Sequence, residues 1–389
     1  MNNFFKRALE LQPITIKNRR YLHENAEAGL NLPLTTKYIC NKLTEIGLEP
    51  QILGDSNIVA TIYGKKKGKT ILLRCDTDAL PMEEHTSLSF RTKTKAAHTC
   101  GHDIHTAMLI SAAQILKENE DELEGNVKLM FEGGEEVFKA AQIMIDEGAL
   151  ENPKVDAAIG IHTALDFGPS FVAYSSGNMT SSCDGFKITI SGKGCHGALP
   201  HTGIDPINAG CHLYLAFQEL IARECPSTES VSLTFGQFSS GNTHNIIPDT
   251  AVLQGTMRTY NQELRSKLLN RIHEICKATE LMFNVNIDYE VLCALPSTYT
   301  DPALLDELVN YIKDIDTDIN LVDNYKVIPS DDFAFISQIV PTVYFMLGFK
   351  VDGCEYPQHN PNVEFDEDAM TYGVALHTQC AFNWLKNNK

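Results

Sequence analysis

The chain has 389 residues, enough for one large domain or two ordinary ones. Hydrophobic residues make up 43% and charged residues 21%, the balance of a globular protein, and no apolar run is long enough to span a bilayer. A formal charge of −18 disfavours nucleic acid or an anionic membrane surface as partner.

That charge leaves room for an anionic small substrate, because one local arginine can override the overall field. No basic segment followed by an apolar one opens the chain, so no secretory signal is expected. The cysteines, 11 in all, have no framework spacing and point to reduced thiols in a cytoplasmic protein.

Residues from about 16 to 48 read as helical, with a break at the Gly29 to Pro33 stretch. Asn57 to Tyr63 and Thr70 to Cys75 read as strands separated by the turn-like GKKKGK. The second strand ends in Asp76, Thr77 and Asp78. Then comes HTCGHDIHTAMLI, from His98 to Ile110, with three imidazoles and one thiol. Nitrogen and sulfur donors packed this tightly suit a transition metal. Cys100 and His102 are two apart, which is not a shared-face spacing on a helix. They can converge on one ion only from a turn, and Gly101 supplies a flexible one. A helix is expected from near Asp103, a good N-cap residue.

Val127, Leu129 and Phe131 alternate as a strand that runs into Gly133, Gly134, Glu135 and Glu136. In extended backbone the two glutamates point to opposite sides, so one can bind metal while the other stands off as a base. Gly133 and Gly134 would let the backbone approach something closely. Ala157 to Ile161 reads as an apolar strand ending at His162. Strand and helix alternate with polar residues at strand ends, the pattern of a mostly parallel α/β sheet whose sites gather at the carboxyl ends of strands.

From about 183 the texture changes to the order β-α-β-β-α-β of a ferredoxin-like unit. The expected division is therefore an α/β domain over 1–182 and 293–389, which carries the candidate metal ligands, with an inserted α+β domain over 183–292. After the insert Val343 to Leu347 reads as a buried strand. The loop carrying His359 follows it, and a final helix runs from about Asp366.

These segments together resemble the M20 metallopeptidase family, in its amidohydrolase branch of hippurate hydrolases, auxin-conjugate hydrolases and N-acetyl-diaminopimelate deacetylases. RRYLHEN, RCDTDALPM, HTCGHDIHTAM, FEGGEE, GIHT, SGKGCHGALPH, NIIPDTAVLQGTMR, SDDF and QHNP follow in the family's order over nearly the whole chain. The resemblance implies that Cys100, His102, Glu136, His162 and His359 hold two divalent metal ions, with Cys100 shared between them. Zinc suits such donors, and manganese, nickel or cobalt are alternatives. Glu135 would be the general base and acid acting on a water between the metals. The insert would be a lid and homodimerisation domain, closing by hinge motion near residues 180 and 293. On it His196 would stabilise the oxyanion, and Asn245 and Arg258 would contact substrate.

The implied reaction is hydrolysis of the amide of an N-acyl amino acid. A metallo-dipeptidase or aminopeptidase would use the same site. A cysteine hydrolase built on Cys100 and His102, or a metal-binding module without turnover, are the other classes. Asp76 and Asp78 read as groups that orient a ligand or cap the sheet edge. His98 and His105 read as supporting or helix-start residues. One departure stands out: Glu132-Gly133-Gly134 replaces the branch's usual Gln-Pro-Ala, which implies a looser turn with an extra carboxylate nearby.

Overall fold

The computed structural model describes residues 3–315 and 318–388. The chain divides into two compact units: the first is drawn from 1–179, 298–326 and 331–389, the second from 180–297 with 327–330. The bounds expected from sequence fall a few residues inside these. The short return at 327–330 has no periodic pattern that would mark it. It joins the second unit through a backbone bridge from Val327 to Thr180 and the Tyr260 hydroxyl donating to Val327 O at 3.1 Å.

The first unit is built on an eight-stranded sheet. Its order is Gln51–Leu53, Asn57–Tyr63, Glu124–Glu132, Lys66–Asp76, Ala157–Ala164, Thr342–Gly348, Phe171–Ala173 and Asn320–Val322. Its four central strands, from Glu124–Glu132 to Thr342–Gly348, run parallel. Every residue of Thr342–Gly348 is buried, as an apolar run without alternation requires. Helices Phe4–Glu24, His102–Glu118 and Met370–Asn387 pack together, and the last two lie against the central strands. On His102–Glu118 the side chains Met108, Leu109, Ile115 and Leu116 are fully buried. At about 1.5–3 kcal/mol each, they anchor that helix, and with it the residues at its first turn.

Two local expectations are corrected. The first helix begins at Phe4 rather than near residue 16 and carries Pro13 inside it. An interior proline costs about 3 kcal/mol, and burial of Phe4, Ala8 and Leu11 on one face outweighs it. GKKKGK is not a free turn. Its lysines open the strand Lys66–Asp76, where Lys66 pairs with Glu124 across a bulge, and the two side chains meet at 2.9 Å.

The second unit is a four-stranded antiparallel sheet in the order Val231–Ser240, Thr250–Thr259, Cys183–Ser191, Asn286–Leu295. Helices Pro206–Glu224 and Gln262–Phe283 cover it and share a core with Phe186, Ile188 and Ile190. Both helices start at side-chain caps. Asp205 accepts from Ile207 N and Asn208 N, and Asn261 from Glu263 N and Leu264 N. The order and covering are those of a ferredoxin-like unit. Among the described residues no helix is long and apolar enough to cross a membrane.

Candidate metal centre

The four parallel strands deliver the site. Past the end of Lys66–Asp76 comes the Cys100 turn. Past Glu124–Glu132 come Glu135 and Glu136, His162 lies on Ala157–Ala164, and His359 sits in the loop after Thr342–Gly348. A parallel sheet collects such groups because all its carboxyl ends lie along one edge.

Cys100 and His102 converge from a turn, as their spacing requires. Gly101 has φ +93°, and a Cβ there would lie 2.8 Å from Thr163 Oγ1, so glycine is needed on both counts. The helix starts at His102 with Gly101 as its cap, not at an Asp103 cap. The Asp103 carboxylate is drawn instead to His23 Nδ1 at 2.9 Å and Arg19 Nε at 3.2 Å.

Glu135 and Glu136 form a short 3-10 turn whose backbone N–H groups donate to Asp78 at 3.1 and 3.2 Å. The glycines before it do not open the turn. Cβ atoms at Gly133 and Gly134 would meet Leu32 and Leu30 at 2.9 and 2.5 Å, so the close approach is to the protein's own side chains. Gly133 N also donates to Asn57 Oδ1 at 2.8 Å. The turn is tight rather than loose.

The donors converge. Cys100 Sγ lies 3.5 Å from His162 Nε2 and 3.4 Å from His359 Nε2. Glu136 Oε1 lies 3.3 Å from His359 Nε2 and 4.0 Å from His102 Nε2. The partners of each ring show which nitrogen is free to ligate. His102 Nδ1 donates to Asp78 Oδ1 at 3.3 Å, and His162 Nδ1 donates to Thr163 O at 2.9 Å. Both Nε2 lone pairs therefore point inward. His105 differs: its Nε2 accepts from Thr163 N at 2.9 Å, so its Nδ1 donates to Asp76 Oδ1 at 2.5 Å. Both its nitrogens are engaged, which removes it from the ligand set and assigns it a supporting role. His98 is buried with both ring nitrogens unpartnered.

These residues fit metal ions on chemical grounds. His102 Nε2 and Glu136 Oε1 are buried without a hydrogen-bond partner, although other donor atoms crowd them. Bare lone pairs facing each other in a buried place lose their hydration without compensation, and a cation supplies it. One group gathers Cys100, Glu136 and His359, a second Asp76, His102, His105 and His162, and His102 also stands with Glu135 and Glu136; Cys100 Sγ adjoins the second group through His162 Nε2 at 3.5 Å. Burial pushes the Cys100 thiol up, yet the neighbouring His102 and His162 rings bring it down to about 6, into thiolate range.

Beneath the donors lies a second layer of charge. Arg74, fully buried, meets Glu132 at 2.7 Å, Asp76 at 2.9 Å, Asp331 at 3.0 Å and Asp332 at 3.3 Å. The extra carboxylate of Glu132 is thus taken up by Arg74. One guanidinium cannot balance four carboxylates, and burial holds Glu132 and Asp332 above the usual carboxylate range. Glu135 stands close to Asp331 and Asp332 as well as to Glu136. Burial first, then repulsion from Asp331, Asp332 and Glu136, raises its carboxyl well above the ordinary value. That suits a group that must pick up a proton and give it back.

The sequence assigns no role to Thr163, Gln358, Asp331 or Asp332. Their only signals are neighbourhood: Thr163 follows His162, Gln358 precedes His359, and the aspartates stand in the SDDF motif.

On the second unit, His196 is exposed and Cys195–His196 pairs with Ile246–Ile247, which sets Asn245 beside it. Ala198 N donates to His196 Nδ1 at 3.0 Å, so the neutral ring carries its proton on Nε2. Arg258 is half-buried at the other end of strand Thr250–Thr259 and donates to Ser330 Oγ at 2.8 Å. Thr250 pairs with Ser191, near the His196 turn, while Arg258 lies eight residues on. At about 3.3 Å per residue that is roughly 26 Å of strand. The structure does not bring Arg258 to His196 within one second unit.

The chain is 35% identical to the N-acetyl-L-cysteine deacetylase of Bacillus subtilis (strain 168), over 98% of this chain and 90% of that protein. It is 30% identical to the hippurate hydrolase of Campylobacter jejuni, over 99% and 100% of the two chains. Among solved structures, a Bacillus subtilis protein described as a dinuclear metal-binding peptidase of the M20 family superposes with a TM-score of 0.84 at 27% identity, covering 97% of this chain and 99% of that one. The model of peptidase family M20/M25/M40 matches residues 72–383, a span holding every donor in the cluster. A converging thiolate, imidazole and carboxylate set on a sheet shared along its whole length with such proteins has one reading: the chain belongs to peptidase family M20/M25/M40.

Proposed function

We propose that this protein hydrolyses the amide bond of an N-acyl amino acid, releasing the acid and the free amino acid. The observation that carries the reading is the convergence of Cys100, His102, Glu136, His162 and His359 around one small space with Glu135 at its side. The full-length likeness to a deacetylase and to a hippurate hydrolase supports the substrate class.

Cys100, His102 and His162 would hold one divalent ion, and Cys100, Glu136 and His359 the other. When bound, the ions polarise the acyl carbonyl and acidify water. Glu135 takes the proton of the attacking water and passes it to the leaving nitrogen, which must depart as an amine. Asp78 keeps the His102 lone pair aimed and fixes the Glu135–Glu136 turn. His196 donates from Nε2 to the developing oxyanion, with Asn245 beside it, and Arg258 binds the substrate carboxylate. The span between Arg258 and His196 on one second unit favours a homodimer in which two copies contribute these groups. Zinc fits the mixed donor set. The 11 free thiols support a cytoplasmic setting.

The test is release of free amino acid from a panel of N-acetyl, N-benzoyl and longer N-acyl amino acids alongside dipeptides, with and without a chelator. Chelator-sensitive release from the acylated set is expected. Release from dipeptides alone would replace this reading with a dipeptidase. Release that survives thorough metal removal would point to a cysteine hydrolase at Cys100.

A further inference from the structure

Four of the five donors sit on or beside regular structure, in the turn before helix His102–Glu118, at its first residue, in the turn Glu135–Val137, and on strand Ala157–Ala164. His359 does not. It lies in the stretch from 349 to 366, which has no helix or strand, and its side chain is half exposed at 51%. Its backbone has φ +62°, a left-handed conformation that costs a non-glycine residue about 1–3 kcal/mol. A ligand so placed holds its position only if neighbours impose it.

The preceding side chain does so. Gln358 Nε2 lies 2.9 Å from Thr163 Oγ1, 3.2 Å from Thr163 O and 3.2 Å from Cys100 O. Thr163 O also accepts from His162 Nδ1, and Thr163 Oγ1 donates to Cys100 O at 2.9 Å. The backbone adds His359 N donating to Thr99 O at 3.0 Å. One amide group therefore touches the segments carrying Cys100 and His162 while adjoining His359.

We propose that Gln358 is a positioning residue that fastens the irregular His359 loop to the Cys100 turn and the His162 strand, and so sets the affinity of the ion shared by Cys100, Glu136 and His359. This rests on the reading of those residues as ligands. Gln358 donates and never ligates; its amide hydrogens are spent on carbonyl and hydroxyl oxygens. The two-ion geometry then depends on a residue whose side chain touches neither ion.

The experiment is equilibrium metal binding by chelator competition, with zinc and with cobalt, on the full chain and on Gln358→Met and Gln358→Glu. Methionine keeps the length without the donor, and glutamate keeps the shape but puts a negatively charged acceptor where the donor was. Both variants are expected to lose about 10- to 100-fold in affinity for one ion, the size seen when a supporting partner of a ligand is removed. The other ion should bind as in the wild type, with the cobalt–thiolate absorption of Cys100 retained. Thr163→Val should weaken the same ion, and its effect should not add to that of Gln358→Met, because the two share hydrogen bonds. Unchanged two-ion binding in Gln358→Met overturns the proposal. So does equal weakening of both ions with a lower melting temperature of the metal-free protein, which would make the residue merely structural. A wild type that binds no ion pair fails the ligand reading itself, before any variant is compared.

Discussion

The two units place their chemistry in opposite ways. In the first, most of the site is buried, and its buried imidazoles and supporting carboxylates have further partners: His102 has Asp78, His162 has Thr163, and Asp76 has Arg74 and His105. In the second, His196 and Asn245 lie exposed, and the His196 ring accepts from Ala198 N. Charges taken out of water need fixed partners before any substrate arrives, or they shift their protonation to escape the cost. A group meant to meet a substrate can stay hydrated until it does. The prearranged region should therefore respond to mutation in metal binding and stability, and the exposed region in turnover alone.

The sharpest way to break that contrast is Glu135→Gln. Glu135 is in the buried region yet ligates nothing in this reading. The variant is expected to keep both ions by metal analysis and to lose about 10²–10⁴-fold in kcat. Near-normal turnover would sink the assignment of the base.

His196→Ala probes the exposed region. Loss of an oxyanion donor is worth about 10²–10³-fold in kcat. Its side chain is exposed, so melting temperature and metal content should stay at wild-type values. A drop in melting temperature without a drop in kcat would reverse the comparison.

The smallest expected effect is on stability against pH. His23 lies buried between Asp103 at 2.9 Å and Glu84 at 3.1 Å. Burial lowers its basicity, but the two carboxylates outweigh that and raise it to about 9. A raised folded value means the stabilisation is fully present below the unfolded value, about 6.5, and is lost as pH climbs through about 9. Denaturant unfolding from pH 6 to 10 should show a decline of order 1–3 kcal/mol in this window that His23→Gln lacks. Identical slopes in the two proteins would show that the pair does not carry the effect.

Much of the site is legible in the chain because its signals are local. Cys100 and His102 cannot share a helix face, so a turn at Gly101 follows from spacing alone. Glu135 and Glu136 follow an alternating strand, and His359 follows an apolar one. The ferredoxin-like order of the second unit is readable for the same reason: alternation and helical period report on neighbours in sequence. The sign of local charge is readable too, and so is the family, from motifs in order.

Other features have no local trace. His98, His102 and His105 are equivalent as letters. The family resemblance picks out His102, but only the tertiary partners give the physical reason, since the His105 ring is spent on Asp76 and Thr163. Gly133 and Gly134 suggest a close approach of the backbone to something, and only packing shows that it is to Leu30 and Leu32. Glu132 reads as a stray carboxylate until Arg74, far away in sequence, is seen to hold it. The tether from Gln358 to Cys100 and Thr163 spans 258 and 195 residues. Spacing and period decide which residues are offered to a site. Which lone pair faces it, and what holds that lone pair there, depends on hydrogen bonds between distant segments, and those exist only once the parallel strands have brought their ends together.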